Sequence, residues 1–70
     1  MSVEKQNNLK KLMDAYGYTR LNLSLMTGLD VSGIFRLENG EALPFIGTAE
    51  KIAKAFDLPA REIFPRFYGE

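Results

Sequence analysis

The stretch Thr19-Arg20-Leu21-Asn22-Leu23-Ser24-Leu25-Met26-Thr27-Gly28-Leu29-Asp30-Val31-Ser32-Gly33-Ile34-Phe35-Arg36-Leu37-Glu38-Asn39-Gly40 divides into two short segments around an internal glycine. Thr19 is a good N-cap, since its hydroxyl can accept from amides that the first helical turn leaves unbonded. A helix is therefore predicted over Arg20 to Thr27, stopping at Gly28. Gly28 can turn at positive φ without a Cβ clash, and Leu29 can plug the turn into the core. Asp30 can cap a further helix from Val31 to Asn39, which Gly40 closes. Within that helix Ile34 and Leu37 share one face and point inward. Val31, Ser32, Gly33, Phe35 and Arg36 are left pointing more or less outward.

Flanking segments carry the same helical period. Leu9, Leu12, Met13 and Tyr16 make one apolar face of a segment running from Glu4 to Tyr16, with Lys10, Lys11 and Asp14 opposite and Gly17 placed to end it. After Glu41-Ala42-Leu43-Pro44, the residues Ala49, Ile52, Ala53 and Phe56 stripe a fourth helix of roughly ten residues. Of the pair Phe45-Ile46 at its start, Ile46 is the better candidate for the interior. A short fifth turn can begin near Pro59 and present Ile63 and Phe64 inward. No segment alternates with period two. The fold class is all-α, five short helices in one domain spanning residues 1–70, with its core at about 7–64 and a tail over 65–70.

Composition narrows the chemistry. The chain has 70 residues, no Cys and no His. Length rules out barrels and doubly wound nucleotide folds; the missing residue types rule out disulfide frameworks, Cys/His metal sites and a neutral-pH imidazole base. No paired carboxylates or phosphate loop appear, so neither an enzyme nor a cofactor is expected. The N-terminus Met1-Ser2-Val3-Glu4-Lys5 lacks the apolar segment of a signal peptide, and a cytoplasmic location is expected. Nine basic residues balance nine acidic ones. That neutrality argues against nucleic acid only on average. Arg20, Arg36 and Lys10 or Lys11 fall toward one side, whereas Glu50, Asp57, Glu62 and Glu70 belong to the distal helices and tail.

Two helices joined by Gly28-Leu29-Asp30 form a helix-turn-helix, whose second helix can be held out to enter a DNA major groove. At Gly17-Tyr18-Thr19, Leu23, Gly28-Leu29-Asp30, Ile34 and Leu37-Glu38-Asn39-Gly40 the chain resembles the phage repressor and Cro family, also called Xre-like. Lys51-Ile52-Ala53-Lys54-Ala55-Phe56-Asp57-Leu58 and Glu62-Ile63-Phe64 resemble that family's closing helices, so the likeness covers Asn8 to Phe64. It implies a sequence-specific DNA-binding regulator acting as a dimer on operator DNA. By that likeness Arg20 contacts phosphate, and Val31, Ser32 and Arg36 face the bases. Asn39, the backbone after Gly40 and Lys10 or Lys11 approach phosphate. Arg36 suits guanine O6 and N7, Ser32 either base type, and Val31 a thymine methyl.

The chain also departs from the family pattern. Glu41 stands where basic residues often follow Glu-Asn-Gly. Met13 replaces the arginine that commonly pairs with the glutamate matching Glu38, so Glu38 must be partly exposed or find another partner. Gly33 costs about 1 kcal/mol against Ala within a helix, and signals either close approach to a partner or a weakly constrained helix. Leu21, Leu25 and Phe35, with Val31 and Leu43, occupy positions usually left polar. They form either an exposed patch for a protein partner, as in an antirepressor or antitoxin-like module, or a local repacking in which Met26 or Leu25 turns inward to offset Thr27, where the family carries a core leucine. Phe67 and Tyr68 in the tail can dock on a two-fold mate, fold back on the core or fray.

Overall fold

Helix α1 begins at Leu9 and runs to Tyr16 in the computed structural model, which describes residues 7–65. Asn7 and Asn8 are not helical, so the helix starts at the first residue of the apolar stripe and later than the predicted Glu4, and residues 4–6 lie outside the described part. The two asparagines bond elsewhere. Asn7 Oδ1 accepts from the Leu9 amide at 2.9 Å while its Nδ2 donates to the Leu37 carbonyl at 2.8 Å. Asn8 donates through its backbone to Ile63 at 2.9 Å and through Nδ2 to Glu62 at 2.8 Å. The start of α1 is thereby tied to both α3 and the last helix.

Four more helices follow: α2 (Arg20–Thr27), α3 (Val31–Glu38), α4 (Ile46–Phe56) and α5 (Ala60–Ile63). Among the described residues there is no strand, and no helix is long and apolar enough to cross a membrane. Helix α2 packs on α3 and α4, α5 packs on α4, and α1 packs on α3. Leu9, Met13, Leu23, Ile34, Leu37, Ala49, Ile52, Ala53, Phe56, Ile63 and Phe64 form one buried cluster. The α4 stripe and the inward Ile63 and Phe64 are as the sequence predicts. Tyr16 closes its helix at the surface, its ring edge-on to Phe56 with centroids 5.0 Å apart. Tyr18 packs on the same ring at 5.2 Å and donates its hydroxyl to the Ala55 carbonyl at 3.2 Å.

Three expectations are corrected. Ile46 is not interior: both it and Phe45 are exposed, and that end of the core is filled instead by buried Pro44 and by Ala42 packed against the cluster. Neither Leu25 nor Met26 turns inward. Leu25 is 76% exposed, because Leu23 and Thr27 already occupy the inward rows of α2 and each helical residue advances about 100°. Thr27 is itself buried, and its hydroxyl is satisfied: it donates to the Leu23 carbonyl at 2.6 Å and accepts from the Leu29 amide at 3.2 Å. Finally, Asp30 starts α3 with N-cap backbone angles but without a side-chain cap bond.

Candidate nucleic-acid interface

The interface is built on the α2–turn–α3 unit. Thr19 and Asn22 exchange a capping box, with Asn22 N donating to Thr19 Oγ1 and Thr19 N donating to Asn22 Oδ1, each at 3.0 Å. Two orphan amides at the start of α2 are thus satisfied reciprocally. At the other end Gly28 adopts φ 80°, a left-handed conformation that side-chain-bearing residues disfavour, and its amide returns to the Ser24 carbonyl at 2.8 Å. Ser24 Oγ then donates to the Leu29 carbonyl at 2.6 Å. The turn is bonded to α2 on both sides of Gly28 before α3 begins.

Helix α3 ends at Glu38, one residue before the predicted Asn39, which is the C-cap. Gly40, at φ 73°, donates to the Leu37 carbonyl at 3.1 Å, and Glu41 donates to Arg36 at 2.9 Å. This is a Schellman closure. It directs the chain away from α3 after Gly40 and leaves Glu41 exposed. Ile34 and Leu37 are buried, whereas Val31, Ser32, Phe35 and Arg36 are exposed, as predicted. Gly33 is partly buried, yet a Cβ added there meets nothing within 4 Å. Among the described residues no close neighbour requires its lack of a side chain.

The remaining predicted residues divide into three groups. Lys10 and Asn39 are exposed on α1 and at the end of α3. Leu21, Leu25 and Leu43 are exposed apolar residues. Phe67 and Tyr68 lie outside the described residues. Arg20, expected at a phosphate, keeps its side chain 42% exposed while its Nε donates to Glu38 Oε2 and its guanidinium carbon sits 4.5 Å from the centroid of the Phe35 ring. Glu38 therefore has its partner, with a side chain only 3% exposed. Phe35 is exposed, as expected, and also carries the arginine on its face. The clue in the sequence was Met13, which left Glu38 without its usual cation; the sequence did not say which cation replaced it.

Two helices held across a glycine turn, with the inner face of the second buried and its outer face open, define a helix-turn-helix protein. The family model described as Helix-turn-helix, of the phage repressor/Cro type, matches residues 9–63, and the chain belongs to that family of DNA-binding transcription regulators. No curated protein sequence matches the chain.

Proposed function

We propose that this regulator works as a dimer on operator DNA, placing α3 of each copy in the major groove of a half-site. Val31, Ser32 and Arg36 read base edges, and Asn39, the backbone after Gly40 and Lys10 face phosphates. The observation that supports this reading is the split of α3 into a buried Ile34/Leu37 face and an exposed Val31/Ser32/Arg36 face. Arg36 offers the planar fork that guanine O6 and N7 accept, Ser32 hydrogen-bonds with either base type, and Val31 packs on a thymine methyl. Half-sites bound by such a dimer are about 34 Å apart, one helical turn.

Selection of the purified protein against random duplex DNA tests the proposal. A two-fold consensus with salt-sensitive binding is expected, and a folded protein without salt-sensitive binding overturns it. Arg36→Ala should cost about 1–3 kcal/mol of affinity and relax preference at a single base pair. A uniform loss over all sequences would show that Arg36 does not read bases. Sedimentation of the protein on the selected duplex gives the stoichiometry, two copies if the dimer reading is correct.

A further inference from the structure

Three features converge on Arg20. It is the first residue of α2 and bonds Glu38, the last residue of α3. Its side chain is 42% exposed but that of Glu38 is 3% exposed, and among the described residues no other cation pairs with this carboxylate. The Phe35 ring, three residues before Glu38 and so on the same face of α3, lies against the guanidinium at 4.5 Å. The turn at Gly28 already joins the end of α2 to the start of α3. Arg20 joins the two opposite ends, so the helix pair is pinned at both.

We propose that Arg20 is a positioning residue: with Glu38 and Phe35 it sets the angle at which α3 presents its base-reading side chains, and it is not a phosphate ligand. An arginine that swung away to a phosphate would leave the Glu38 carboxylate buried and unpaired, a strongly destabilising change. Lysine is a poor replacement, because a compact ammonium does not bond the carboxylate through one nitrogen while laying a broad, flat cation against the ring. The consequence for DNA lies in discrimination. A bidentate contact to one base tolerates little misplacement, so loosening the α2–α3 angle erodes the preference for the right base before it erodes general affinity.

The functional half of this inference rests on the DNA-reading proposal, whereas the structural half can be tested without DNA. Urea unfolding of the wild type, Arg20→Met, Glu38→Met and the double variant forms a cycle. Arg20→Met is expected to lower the folding equilibrium constant at least about tenfold, with most of that loss recovered in the double variant, whose net charge equals that of the wild type. Additive losses would overturn the clamp. For function, the salt dependence of binding and the ratio of affinities for the selected duplex and a single-base change are measured at a temperature where each variant is folded.

A positioning role predicts that the double variant keeps the wild-type salt slope but loses much of the discrimination, and that Arg20→Lys likewise keeps the slope and loses discrimination. A phosphate contact predicts the reverse: a slope smaller by about one in the double variant, and full rescue by Arg20→Lys. If Arg20→Met does not fold, the double variant and Arg20→Lys still separate the two roles. If the wild type binds no duplex, the DNA-reading proposal fails while the unfolding cycle still tests the clamp.

Discussion

The α2–α3 unit and the α4–α5 end are held by different physics. Between Thr19 and Glu41 the polar side chains that turn back on the protein each make a directional bond: Thr19 with Asn22, Ser24 with Leu29, Thr27 with Leu23 and Leu29, Arg20 with Glu38. Beyond Phe45 neither α4 nor α5 has a side-chain cap, and the packing is carried by Ala49, Ile52, Ala53, Phe56, Ile63 and Phe64. Apolar burial is non-directional, so it stabilises a scaffold without specifying small rotations. Hydrogen bonds weaken steeply with angle, so they suit the part that must present side chains at a set orientation. Direction dominates at the end that reads and area at the end that supports, where Tyr18 and Asn8 add bonds to Ala55, Glu62 and Ile63 from outside α4 and α5.

Phe56→Ala is the strongest challenge to the supporting side of that contrast. Removing a fully buried ring that Tyr16 and Tyr18 pack against should cost about 3–5 kcal/mol, comparable to what a core of this size supplies. Cooperative thermal unfolding followed by circular dichroism should then be lost. A cost below about 1 kcal/mol would show that α4 does not anchor the scaffold through this ring.

Thr27→Val probes the directional side with almost no change of shape. It leaves the Leu29 amide without its acceptor, and a loss of about 1–2 kcal/mol is expected from the shift in urea midpoint. A neutral or stabilising result would mean that the Thr27 hydroxyl contributes nothing to holding the turn.

Gly33→Ala separates stability from reading. The added methyl has open space, so the helix should gain about 1 kcal/mol. If DNA affinity falls while stability rises, the glycine serves close approach to a partner; if both rise, helix α3 is merely weakly constrained there.

The smallest expected effect is at Asp57, which ends α4 at φ 57°, the described non-glycine residue in the left-handed region. Asp57→Gly should add about 0.5 kcal/mol, the relief of that conformation less the entropy of a freer unfolded chain. An unchanged urea midpoint would show that the aspartate is already at ease in the left-handed region, leaving this junction no softer than the one at Gly28.

Much of the fold was legible because local chemistry and the helical period agree. Thr19 and Gly28 bracket α2 as predicted, and the 49, 52, 53, 56 stripe marks the buried face of α4. Where periodicity alone was followed, it overreached. Ile46 continues the stripe by spacing, yet the core ends before it, since a period says which side a residue faces and not whether a neighbour covers it. Leu25 and Met26 stayed outward because Thr27 satisfied its own hydroxyl locally, a solution invisible to a volume argument. Asn7 and Asn8 fall inside the segment predicted to be helical from Glu4, but their side-chain amides find carbonyls of α3 and α5 far along the chain.

By itself, then, the sequence determined the all-helical class, the glycine turn between α2 and α3, the inward Ile34 and Leu37 and the outward Val31, Ser32 and Arg36. Each of these follows from residues within one or two helical turns of one another. Only the tertiary structure decided which cation meets Glu38, because Arg20 lies 18 residues away, at the far end of two helices and a turn, and the pairing exists only once α2 and α3 pack together. The arginine that the family likeness assigns to phosphate bonds, in three dimensions, a buried carboxylate, and removing it would leave that charge unpaired.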